Sequence, residues 1–189
     1  MRLPLALCLG LLAAPGSLAQ DLFVPGGAVD SLARALAESG ARQAVAVLSE
    51  AIRASRDQAL AEGTGPIPAA IRAQLSGYVP EVDLETVRWR VGGGSDLSLQ
   101  HAAIESGTAS AITLIDVVVF ESEGDALANA SLWAHELRHV AQYREWGVEE
   151  FSRRYLADSA AVEADATGFA AKWQEDATSA RLGQRPSLP

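Results

Sequence analysis

An α+β fold, mostly helical with a small antiparallel sheet packed beside one central helix, is predicted from three observations. Alanine-rich stretches carry apolar residues at helical spacing. Two short segments, Val87 to Val91 and Ala111 to Phe120, are rich in β-branched residues and read as strands. The stretch from Gly124 to Tyr143 is apolar on most sides and free of proline, as expected of a helix buried in a small domain.

The chain opens with Met1-Arg2, an apolar run from Leu3 to Ala14, and small residues at Ser17 and Ala19. This is the pattern of a secretory signal peptide over residues 1–19, which predicts a mature start at Gln20 and a periplasmic or secreted protein. The apolar run is too short to cross a hydrocarbon core of about 30 Å. Cys8, the only cysteine, lies too early and follows a poorly suited Leu7 for a lipid anchor, and it leaves with the leader. The exported chain then has no disulfide and depends on its core. With 15 Lys and Arg against 24 Asp and Glu, the chain carries a formal charge of −9. Such a balance argues against nucleic acid or an anionic membrane as the main partner.

Residues 20–63 form an alanine-rich helical segment, with Leu32, Leu36, Val45, Val47, Leu48 and Ile52 as its apolar residues. Gly40 divides it into two expected helices. The segment is either a layer packed on the remainder or a prosegment covering the site. Gly63-Thr64-Gly65-Pro66 reads as a turn or linker, opening the main domain at 64–176. Ile67 to Leu75 reads as a short helix. Gly92-Gly93-Gly94 lacks the GK[ST] ending of a phosphate loop and reads as a flexible turn. His101 reads as a surface histidine, and a turn near Ile115-Asp116 splits the second strand segment. Trp133, Trp146 and Trp173 are expected in the core or at helix contacts, and residues 177–189 as a flexible tail.

The chemistry concentrates in Ala134-His135-Glu136-Leu137-Arg138-His139-Val140. In HExxH on a helix the two histidines project from one face and can share a Zn²⁺, with the glutamate beside the metal as general base. The helix is expected to start near Gly124, continue through Tyr143 and break at Gly147. Catalytic zinc generally takes three protein ligands and a water. No third histidine follows at the spacing HExxHxxGxxH, so the third ligand is expected from a later helix. Glu163, in Asp158-Ser159-Ala160-Ala161-Val162-Glu163, is the residue favoured, with Ser159 or Asp158 as N-cap and alanines permitting close approach. Asp165 points elsewhere on the wheel and suits an outer or surface role; Asp158 is an alternative partner for a ligand histidine's free N–H. Tyr143 and Tyr155 are candidate oxyanion donors.

Three segments resemble a bacterial domain of unknown function, the eCIS-core domain, found near contractile injection systems. Pro68-Ala69-Ala70-Ile71-Arg72 with Val82-Asp83-Leu84-Glu85-Thr86-Val87-Arg88 is similar to its helix and following strand. Ala111 to Phe120 resembles its hairpin, and Ala134 to Tyr143 its AHELTHVVQQ helix; Glu163-Ala164-Asp165-Ala166 matches its later ExEA segment in part. The resemblance implies a minimal zincin-like peptidase with glutamate as third ligand. It departs at Arg138, a charge where an uncharged residue is usual, and at Ile115, in place of a turn glycine. Neither change removes a ligand.

The function expected is zinc-dependent hydrolysis of peptide bonds in a peptide or protein substrate, with His135, His139 and Glu163 on Zn²⁺ and Glu136 as base. In zincins a strand edge beside the active-site helix binds extended substrate, and Val117 to Phe120 is the edge expected here. The alternative is a zinc-stabilised module without catalysis, serving binding or assembly in an export- or injection-related pathway. A purely structural site has no use for Glu136.

Overall fold

The structure is a computed structural model that describes residues 26–92 and 110–183. The expected signal peptide and its cleavage point, Gly93, Gly94, His101 and residues 184–189 lie outside the described residues. Among the described residues no helix is long and apolar enough to cross a membrane.

The first helix, α1 (Gly26–Ala61), runs unbroken through Gly40 instead of dividing there. Nothing lies near the position a side chain would take at Gly40, and its helix-forming neighbours offset the roughly 1 kcal/mol that glycine costs. Gly63, at φ +100°, turns the chain out of α1. The expected linker then forms a two-residue strand, β1 (Gly65–Pro66). Two short helices follow, α2 (Ala69–Leu75) and α3 (Glu81–Thr86), then β2 (Arg88–Val91), β3 (Ala111–Leu114) and β4 (Val117–Phe120).

These strands make one sheet in the order β1-β2-β4-β3. The sheet is mixed rather than antiparallel. β3 and β4 form the expected antiparallel hairpin, but β2 pairs with β4 in parallel. The chain between β2 and β4 is long enough for the crossover that parallel pairing needs. The order also corrects the expected edge. Val117 to Phe120 is central and wholly buried, and β3 is the outer strand. A run of four apolar residues without alternation is the signature of a strand covered on both faces.

The covering layers explain that burial. Val118 and Phe120 face the main core with Trp133, Leu137 and Val87. Val117, Val119 and Leu114 face α1 through Ala59 and Leu60. Farther along α1, Leu48 and Ile52 join a third cluster with Tyr143, Phe151 and Val162. Ser49 donates to Ser152 at 3.0 Å in the same buried seam. Asp116 at the hairpin tip takes a bidentate pair from Arg56 of α1, at 2.5 and 2.8 Å.

The helix expected from Gly124 is two helices, α4 (Glu123–Ala128) and α5 (Ala130–Trp146). Asn129 separates them: its side chain accepts the Leu132 N–H at 3.0 Å, capping α5. Asparagine favours such local bonding over helix continuation. Trp133 fills the core with Phe120, its ring 4.8 Å away, and donates to the Ala126 carbonyl at 2.7 Å. Gly147 ends α5 as expected, at φ +77°. The last helix, α6 (Val148–Gly183), is bent at Asp158, whose φ of −159° and ψ of 81° are not helical. Its described end passes residue 176, so the described part of the expected tail is helical. Trp173 is buried against the core, and Trp146 packs on Phe151 under the guanidinium of Arg154, as expected of helix-contact residues.

Candidate metal centre

Helix α5 passes between the sheet and α6 with most of its length buried. Its period places His135 and His139 one turn apart, ring centroids separated by 4.8 Å. The bend at Asp158 directs the second arm of α6 along α5, where the small buried side chains of Ala166 and Ala170 permit close approach. That arm brings Glu163 to the histidines. The Asp158 carboxylate accepts the Ala161 N–H at 3.0 Å, so it is the N-cap of this arm and not the partner of a histidine.

Three donor atoms meet. His135 Nε2 lies 3.2 Å from His139 Nε2. Glu163 Oε2 lies 3.3 Å from the first and 3.5 Å from the second. Ligands at about 2.05 Å from a tetrahedral ion are separated by about 3.3 Å, so the triangle has the size zinc requires. Among the described residues this is the single group of three or more His, Cys, Asp or Glu side chains suited to a metal. His139 is buried, whereas the His135 and Glu163 side chains keep 21% and 18% exposure. The centre therefore opens on the His135 and Glu163 side.

Charge within the centre is shared. Burial opposes ionisation of Glu163, but hydrogen bonds and charge from His135 and His139 outweigh it and hold the carboxyl well below the usual range. Burial likewise disfavours the His139 imidazolium, yet Glu163 and Glu136 raise its pKa above the ordinary value. The two shifts are the mutual effect of a carboxylate and imidazoles in contact, each favouring the other's charged form.

Glu136, buried beside the histidines, is outside the donor triangle. Its Oε2 accepts from the Thr113 hydroxyl of β3 at 2.7 Å, and the same hydroxyl reaches the Glu136 carbonyl at 3.2 Å. Thr113 was not foreseen. Its one signal is a hydroxyl on the inward face of a strand otherwise filled by apolar residues. Gln142 was also unforeseen. It is fully buried one turn beyond His139, with Oε1 at 2.8 Å from His139 Nδ1. A buried amide three residues after a ligand, on an otherwise apolar helix, is the clue the sequence contains.

Asp165 fills the outer position expected of it, accepting from Gln142 at 2.8 Å and from Arg138 at 2.7 Å. Arg138 also pairs with Glu145 at 3.0 Å, so the charge inside the motif is neutralised away from the donor atoms. The two tyrosines differ. Tyr143 donates to the Thr113 carbonyl at 3.4 Å. The Tyr155 hydroxyl is buried without a hydrogen-bond partner among the described residues. Burial pushes its pKa up and the nearby Glu163 carboxylate pushes it further.

Neither the curated proteins nor the solved structures gave a match to this chain. The family model of the eCIS core domain matches residues 66–147, a span that starts at β1, ends with α5 and leaves α1 and Glu163 outside. Over those residues, the sheet and the histidine-bearing helix, the chain carries an eCIS-core-type domain.

Proposed function

We propose that this chain is an exported zinc-dependent metallopeptidase in which His135, His139 and Glu163 hold the ion and Glu136 is the general base. The donor triangle carries the reading: three atoms from two helices converge at separations of 3.2 to 3.5 Å, the spacing of a zinc site with one position open. A zinc ion held there supplies Lewis acidity, bringing the pKa of a bound water to around 7 and polarising the scissile carbonyl.

The chain's own residues do the rest. Thr113 occupies Oε2 of Glu136, which leaves Oε1 to take the proton of the attacking water and return it to the leaving amine. Tyr155, with its hydroxyl unspent beside Glu163, is the better placed tyrosine to donate to the developing oxyanion. Extended substrate fits the outer edge of β3. Glu121 bonds across to Ser110, so by alternation the backbone groups of Ala111 and Thr113 point away from β4, with the Thr113 carbonyl accepting from Tyr143 at 3.4 Å. No strand pairs with that side among the described residues. A peptide adding there lies beside the Glu136 partner itself.

The test is zinc content followed by turnover. Wild-type protein should hold about one zinc per chain, and His139→Ala should lose it. Glu136→Gln should keep the zinc and abolish cleavage of an unstructured peptide pool. A zinc-free wild type sinks the metal reading. Stoichiometric zinc without turnover in wild type leaves a non-catalytic zinc module in its place.

A further inference from the structure

The hydrogen bonds around Gln142 fix more than its own position. Its Nε2 lies 2.8 Å from Asp165 Oδ2 and 3.2 Å from the Val162 carbonyl. Both of those atoms can only accept, so the amide nitrogen must face them and the amide oxygen must face His139. An oxygen 2.8 Å from a ring nitrogen requires that nitrogen to carry hydrogen. His139 therefore carries hydrogen on Nδ1, and its Nε2 faces His135 and Glu163, so it is Nε2 that gives up its proton when the imidazolium turns neutral.

Resting on the zinc-centre reading, we propose that Gln142 is the positioning residue of this centre. It sets the His139 tautomer and ring angle, and it is aimed by Asp165, which Arg138 holds in turn. The arrangement gives Arg138 a purpose inside the motif. Its guanidinium meets Asp165 at 2.7 Å and holds that carboxylate beside the amide. Because Val162 and Asp165 flank Glu163 on α6, the same amide ties the helix of the third ligand to the helix of the first two.

A packing role and a positioning role predict opposite outcomes for two variants. Gln142→Leu keeps the volume and removes the acceptor. Gln142→Glu with Asp165→Asn keeps an acceptor for His139 and a donor toward residue 142, and sets a carboxylate oxygen against the Val162 carbonyl, which costs stability without removing the acceptor for His139. Two properties are read on the full chain. One is the tautomer of His139 from its ring ¹⁵N shifts in metal-free protein, above the imidazole's titration range. The other is zinc affinity, by competition with a chromophoric chelator. The leucine variant should lose the Nδ1–H preference and bind zinc about 10- to 100-fold more weakly, while the double variant keeps both within about tenfold.

A leucine variant with wild-type tautomer and affinity overturns the proposal, as does a double variant that falls as far as the leucine one. If Gln142→Leu does not fold, the wild-type tautomer decides: a major Nε2–H form overturns the proposal, and Nδ1–H kept in the double variant supports it. The tautomer needs no metal, so a wild type that fails to bind zinc defeats the centre and leaves this assignment separately readable.

Discussion

Tyr143 and Tyr155 both stack on Phe151, with ring centroids at 3.9 and 5.7 Å, yet their hydroxyls are used differently. Tyr143 holds the carbonyl of an edge-strand residue, and the Tyr155 hydroxyl, beside Glu163, makes no hydrogen bond of normal length among the described residues. A buried hydroxyl without a partner costs stability. On the proposed function, in which Tyr155 donates to the oxyanion, Tyr155→Phe should leave zinc content unchanged and lower turnover about 10²- to 10³-fold. Thermal stability should be equal or slightly higher, and a fall in melting temperature would show that the hydroxyl had a partner after all. His139 gives a second prediction. Its folded pKa lies above the ordinary value of about 6.5, so in metal-free protein it stabilises fully below that pH. That contribution is lost as pH rises through the raised value. Protons and zinc compete for the same Nε2, so zinc affinity rises over the same interval. Melting temperatures of the two forms should diverge from about pH 6.5 upward, and a His139 contribution to metal-free stability that rises there, read against a His139→Ala control, would contradict the assignment.

At the scale of elements, helices were more readable than strand order. HExxH specifies its geometry locally, because four residues on a helix always return to one face. Glu163 followed once a close third histidine was lacking. Thr113 and Gln142 could not be read in the same way, since their roles depend on which strand lies against α5 and which arm of α6 crosses it. The mistaken edge has the same origin, because pairing decides which strand is central, although the unalternating Val117 to Phe120 pointed to the centre. Ile115 shows local preference overruled. It sits at φ +63°, where a β-branched residue is strained, while its side chain packs against the cluster of Ile52, Tyr143, Phe151 and Val162. Ile115→Ala loses the packing and keeps the strain, whereas Ile115→Gly loses the packing and relieves it. The alanine variant should be the less stable by about 1 kcal/mol, the reverse of the order in a helix. Chemical denaturation of the pair decides it, and alanine equal to or above glycine refutes the account.

Across the whole molecule, α1 is a structural layer outside the matched domain but inside its core. It supplies Ala59 and Leu60 to the outer face of the sheet, Leu48 and Ile52 to the cluster under Tyr143, and Arg56 to the hairpin tip. A removable prosegment would leave a folded remainder, whereas this layer would leave bare the buried faces of Val117 and Val119. Deleting residues 20–63 should abolish cooperative unfolding and expose apolar surface to a hydrophobic dye. A shortened chain that still melts cooperatively and binds zinc would instead make the segment a detachable cover.

The origin of the three donors also orders events in time. His135 and His139 are four residues apart and stand ready in any fragment that forms α5, while Glu163 arrives only when the arm beyond Asp158 has docked. Two imidazoles without the carboxylate make an incomplete claim on a metal. On the proposed zinc reading, the complete donor set, and any chemistry that depends on it, exists only in chains whose second α6 arm is docked on α5.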